Sequence, residues 1–96
     1  MRSEKYRRAV AELPCVNCGY DGASQAAHPN TARYGKGLGI KADDFACVPL
    51  CADRPGVVGC HARWDTHKIA PKGERDAVWE RWLSWTRNAL AIQAGV

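Results

Sequence analysis

The chain has 96 residues, 46% hydrophobic and 25% charged, and a formal net charge of +4. That describes one small domain whose core is thin enough to need a staple, and it excludes a disordered or low-complexity chain. No apolar run approaches the roughly 20 residues of a membrane span, so no membrane partner is expected, while a sequence pI of about 8.9 favours a polyanionic one.

The stretch from Met1 to Arg8 is basic, with no apolar segment behind it, so it does not read as a secretory signal and a cytoplasmic location is expected. Within residues 1–14 the spacing of Tyr6, Val10 and Leu13 predicts a helix, capped at Ser3 and stopped by Pro14. Cys15-Val16-Asn17-Cys18-Gly19 then reads as a metal knuckle, its glycine letting the backbone double back. A short strand is expected from Ala23 to His28, ending at Pro29. Asn30 to Lys41 is glycine-rich and basic and reads as a loop. It lacks the Gly-Lys-Ser/Thr ending of a nucleotide-binding loop, which leaves a DNA-backbone contact or a plain hairpin connection.

Phe45 to Leu50 is an apolar run of strand length. A loop containing Pro55, Gly56 and Gly59 leads from Cys51 to Cys60, where a short helix should begin and carry His61 and Asp65 on one face. Over residues 73–94 the stripe Val78, Trp82, Trp85, Ala89 and Ile92, widened by Trp79 and Leu83, predicts a long amphipathic helix. Tryptophans at that spacing read as core rather than as a base-stacking platform. The chain is therefore one domain over 1–96: an N-terminal helix (1–14), a knuckle and core (15–66) and a C-terminal helix (73–94).

Five cysteines do not suit a closed disulfide framework. Cys15, Cys18, Cys51 and Cys60 form a four-thiolate set suited to tetrahedral zinc, in preference to a thioredoxin-like pair or free thiols, and such an ion contributes on the order of 10 kcal/mol to folding. Cys47 is set aside as a buried thiol inside an apolar run. His28, His61 and Asp65 remain. With His28 closing the first strand and the other two on the helix, a phosphodiesterase layout is workable. A divalent ion on His61 and Asp65 would polarise a phosphate, and neutral His28 would take the proton from water. A plain zinc-binding module without catalysis accounts for the cysteines equally well.

The blocks Cys15-x-x-Cys18-Gly19, Gln25-Ala26-Ala27-His28-x-Asn30, Gly35-Lys36-Gly37-x-Gly39-x-Lys41-Ala42-Asp43-Asp44, Val48-Pro49-Leu50-Cys51 and Cys60-His61-x-x-x-Asp65 together resemble the small HNH-type nucleases of phages and prophages, to which Ref-type recombination nucleases are related. The resemblance spans Cys15 to Asp65. It implies an α+β, ββα-metal fold with a structural zinc, a catalytic Mg²⁺ or Mn²⁺ ion, and DNA cleavage in a bacterial or phage-infected cell. By position, His28 is the general base and His61 with Asp65 holds the catalytic ion. Asp44 assists, with Asp43 and Asn30 as further candidates, and Arg33, Lys36, Lys41 and Arg63 are expected to meet DNA phosphates. The chain departs from the pattern at Ala27, where many members carry an acidic ligand, near Ala46, where the central asparagine would fall, and in the long loop Ala52 to Gly59. A non-catalytic zinc module for nucleic acid or protein, or an inactive HNH relative acting as an accessory factor, is the alternative.

Overall fold

Two short strands carry the architecture. β1 (Ser24–Ala27) pairs antiparallel with β2 (Val48–Cys51), Ser24 opposite Cys51 and Ala27 opposite Val48, in a computed structural model that describes residues 3–29 and 44–93, with side chains up to residue 91. Every residue of β2 is buried, without the alternation of a one-sided strand. The reason is cover: β2 touches α1 (Glu4–Ala11), α2 (Cys60–Asp65) and α3 (Arg75–Gln93) as well as β1. The result is an α+β arrangement of a two-stranded sheet with three helices. No helix among the described residues is long and apolar enough to cross a membrane.

α1 begins where Ser3 leaves the helical region and its hydroxyl accepts the Tyr6 amide. Its buried residue, Val10, and the following Leu13 point into the molecule, and Pro14 prevents continuation. The second strand starts at Val48, later than the apolar run from Phe45 suggests, because Asp44–Ala46 form a 3-10 turn. Tertiary bonds hold that turn. Ser3 and Arg7 of the α1 region meet the Asp44 carboxylate, while Trp79 Nε1 donates to the Ala46 carbonyl at 2.9 Å and Arg87 to that of Phe45 at 3.1 Å.

α2 is too short to persist alone. Cys60 and Trp64 bury its inner face, and the Thr66 hydroxyl donates to the Ala62 carbonyl near its end. Trp64 is the hub of the core, with its ring 5.2 Å from that of Trp79 and 5.0 Å from that of Trp82. Arg75 closes the joint between α2 and α3. Its guanidinium lies 3.8 Å over the Trp64 ring and donates to the Trp64 carbonyl at 2.9 Å. The buried face of α3 is thus Arg75, Trp79, Trp82, Leu83 and Thr86, rotated from the apolar stripe expected from sequence, and Trp85 is exposed. Two polar residues occupy that face because each has a local acceptor, the Trp64 carbonyl for Arg75 and the Trp82 carbonyl for Thr86.

Candidate metal centre and adjoining histidines

The Sγ atoms of Cys15, Cys18, Cys51 and Cys60 all lie within 4.8 Å of one another. Each cysteine arrives from a defined piece of backbone. The Gly19 amide donates back to the Cys15 carbonyl at 2.8 Å, and Gly19 adopts a φ of 82°, which only glycine takes without cost. The Val16 amide donates to the Pro49 carbonyl at 2.9 Å, which stitches the knuckle to the outer edge of β2. Cys51 is the last residue of β2 and Cys60 the first of α2. Gly59 permits their meeting, since a Cβ there would collide with the Cys51 carbonyl and the backbone of Ala52. Asp53 helps by accepting the Gly59 amide at 2.7 Å.

The Cys18 and Cys51 sulfurs are 3.7 Å apart. A disulfide requires ~2.05 Å, whereas four sulfurs around one zinc ion at the usual ~2.3 Å stand about 3.8 Å from their neighbours. All the cysteines are free thiols. Burial pushes the Cys51 thiol up, but the Cys60 amide, Arg54 and the neighbouring thiols outweigh it and bring it down to about 6. Burial pushes Cys60 up to about 12, against the pull of the Asn17 side-chain amide. Cys18 is raised as well: the Tyr20 amide favours its thiolate, but burial and the thiols of Cys15 and Cys51 prevail. One thiolate is therefore welcome and further ones repel it. A dication removes that conflict, and the donors already aimed at sulfur, Cys60 N–H to Cys51 and Asn17 Nδ2 to Cys60, both at 3.3 Å, are those that support zinc-bound thiolates. The four cysteines fit a metal ion such as zinc.

His28 follows β1 directly. Its Nε2 lies 2.7 Å from Asp44 Oδ1, and the other carboxylate oxygen of this fully buried aspartate takes the Ser3 amide and lies 3.2 Å from Arg7 Nε. Pairing of this kind is what lets a carboxylate stay charged in the interior. Cys47 belongs to the same group. Its thiol, the His28 ring and the Asp44 carboxylate each offer a ligand atom within 4.8 Å of the others.

His61 and Asp65 share the exposed side of α2, with His61 Nε2 at 3.7 Å from Asp65 Oδ2. Gln25 of β1 meets the ring from the other side, its Oε1 2.7 Å from His61 Nδ1. With that oxygen as acceptor, Nδ1 carries the ring proton and Nε2 is the nitrogen left on the Asp65 side. An open cleft of about 390 Å³ adjoins them, lined by Gln25, Ala52, Asp53, His61, Ala62 and Asp65. Neither His28 nor Asp44 lines it. Gln25 and His28 are three steps apart along the strand direction, about 10 Å in extended chain, so the structure pairs His28 with Asp44 beyond the end of β1 and His61 with Asp65 on α2, beside Gln25. Arg63 is exposed on α2. Arg33, Lys36 and Lys41, with Asn30 and Asp43, lie outside the described residues.

Four participants escaped the reading of the sequence. Gln25 had a signal, since it shares a strand face with Ala27 and stands level with α2. Cys47 had none, because it meets Asp44 through a 3-10 turn where the sequence reads as strand. Arg7 and Asp53 had none, because only the docking of α1 and the path of the Cys51–Cys60 loop bring them in. The chain matches no family model, no curated protein and no solved structure.

Proposed function

We propose that the protein is a zinc-stabilised, metal-dependent DNA endonuclease of the HNH type. The observation that carries this reading is the His28–Asp44 pair: a partly exposed imidazole just after β1, hydrogen-bonded to a buried carboxylate that Arg7 and the Ser3 amide hold in place. Asp44 accepts the proton of Nε2, fixes the ring's tautomer and orientation, and leaves Nδ1 to accept a proton from water. It thereby fills the orienting role of the asparagine for which Ala46 offers no substitute.

The four-cysteine zinc has no open position in this scheme and acts on architecture alone. His61 and Asp65 would hold Mg²⁺ or Mn²⁺ together with water and phosphate oxygens, and that ion would supply charge stabilisation for the leaving oxygen. Gln25 holds His61 in the ligating tautomer. Arg63, and beyond the described residues Arg33, Lys36 and Lys41, provide positive charge for the DNA backbone. A phage or prophage origin and a site of action in the bacterial cytoplasm accompany the reading.

One observation favours a second reading, a non-catalytic zinc module or an inactive relative serving as an accessory factor: the cleft beside His61 and Asp65 does not include His28. Plasmid cleavage with added Mg²⁺ or Mn²⁺ decides between them. Wild type should cut, and folded, zinc-loaded His28→Ala should lose ~10²–10⁴-fold in rate, the usual contribution of a general base. Absence of cleavage by wild type on every form of DNA would favour the module.

A further inference from the structure

A second cluster of metal-ligating side chains lies away from the four cysteines. The backbone brings it together in two steps. Cys47 N donates to the Asp44 carbonyl at 3.2 Å at the end of the 3-10 turn, and residues three apart on such a turn eclipse each other, so carboxylate and thiol emerge side by side. The pairing of Ala27 with Val48, continued by one residue, then sets His28 opposite Cys47. The three ligand atoms lie within 4.8 Å of one another, with Asp44 and Cys47 fully buried and the His28 side chain 30% exposed.

We infer that His28, Asp44 and Cys47 form a second metal site, for a borderline-soft dication of the zinc class, distinct from both the four-cysteine centre and the His61–Asp65 pair. The donor set decides the class of ion. Thiolate and imidazole suit Zn²⁺ or Co²⁺ and disfavour Mg²⁺ and Ca²⁺, which seek oxygen. Among the described residues three protein ligands converge, fewer than the four of a closed zinc site, and the His28 edge, 30% exposed, faces solvent. The charges close: a thiolate and a carboxylate neutralise the dication, which suits a site this buried. An outer shell also stands ready. Arg7 and the Ser3 amide grip Asp44 Oδ2, so that Oδ1 is the oxygen turned towards His28. Uptake releases the Cys47 thiol proton to solvent and moves the imidazole proton from Nε2 to Nδ1, with Nε2 bonding the ion.

That proton shift ties the site to the nuclease reading and, resting on it, gives the ion a role. A ring protonated on Nδ1 cannot accept a proton from water, so occupancy at His28 switches off the base that Asp44 otherwise orients.

Metal counting tests the site without reference to DNA. Protein already holding one zinc should bind a second equivalent of Co²⁺ without releasing that zinc, and the cobalt should show a thiolate-to-metal charge-transfer band. Cys47→Ala should abolish the band and weaken cobalt binding by more than the ~10–100-fold that outer-shell changes cost, whereas Arg7→Gln should fall within that range. His28→Gln, which leaves the thiol in place, should weaken binding as Cys47→Ala does and guards against a folding artefact in the cysteine variant. Uptake that stops at one metal, or a second cobalt whose spectrum and affinity are unchanged in Cys47→Ala, overturns the inference. A Cys47-dependent second metal in a protein that cuts no DNA would keep the site and remove the nuclease; cleavage without a second metal would do the reverse.

Discussion

Gly59 offers the sharpest test of how the metal centre is built. Its φ of −70° and ψ of 160° are open to any residue, so alanine there meets no conformational penalty and would, on chain entropy alone, stabilise the fold by ~0.4–1 kcal/mol. The structure reverses that sign. A Cβ would strike the Cys51 carbonyl and the Ala52 backbone, and no flexible side chain is available to yield. Overpacking of a rigid site costs ~1–3 kcal/mol, and obstacles made of backbone place Gly59→Ala near the top of that range, about 2 kcal/mol after the entropy gain is deducted. For a domain of this size that corresponds to a Tm lower by about 8–16 °C. Relief requires Cys60 to retreat from Cys51, so the same 2 kcal/mol should appear as zinc binding weakened by about 30-fold. Thermal melts at a fixed free zinc concentration and competition with a chromophoric chelator measure the two quantities. An alanine variant as stable as wild type, with unchanged zinc affinity, would refute the claim that this close approach organises the site.

Stripping the metal with a strong chelator should abolish cooperative melting and helical circular dichroism, since a structural zinc contributes ~10 kcal/mol against a total stability of ~5–15 kcal/mol; a metal-free chain that melts like the loaded one would contradict this. Asp44→Asn keeps the shape but withdraws the charge from Arg7 and His28, and should lower stability by ~1–3 kcal/mol in urea titrations, with Asp44→Leu costing ~3–5 kcal/mol. Arg75→Lys should not behave as a conservative change. The fork that stacks on Trp64 and bonds its carbonyl is lost, and burial, which already lowers the Arg75 pKa, penalises a compact ammonium. A loss of ~1–2 kcal/mol is expected, with Arg75→Met no worse than Arg75→Lys in the same melts.

What could be read from the chain before folding divides by the range of the interactions involved. The knuckle, the hairpin strands and the start of α2 were legible because Cys15, Cys18, Cys51 and Cys60 announce themselves by chemistry and the intervening glycines by backbone freedom. The start of β2 was not. Asp44, Phe45 and Ala46 leave strand geometry for contacts with Ser3, Arg7, Trp79 and Arg87, which are distant in sequence. The face of α3 is read only in part for a related reason: Trp79, Trp82 and Leu83 are buried as expected, and Trp85 is not. A hydrophobic count favours Trp85 and overlooks Arg75 and Thr86, whose burial depends on carbonyl acceptors that no side-chain scale registers. Of the site, the sequence groups His28 with His61 and Asp65 in one centre and adds Asp44 as an assistant, but their division into two pairs follows from strand register and the docking of α2, which periodicity does not specify.

The ligands of the four-cysteine centre also set an order of events during synthesis. Cys15 and Cys18 leave the ribosome as a complete chelating pair, and Cys51 and Cys60, at the end of β2 and the start of α2, follow only after a long stretch of chain. An ion captured early by the knuckle would wait, half-coordinated, until the start of α2 is made, and closing that loop carries an entropy cost that grows only slowly with its length. Trp64 emerges just after Cys60, yet its cover, Trp79 and Trp82, comes later still. During that interval a nascent chain that had captured an ion would hold a nearly finished metal site above an unsealed aromatic core. With zinc as the ion of this centre, its supply and the emergence of α3 would act as two successive checkpoints on the same domain, and a lapse at either would leave apolar surface open to chaperones or proteases.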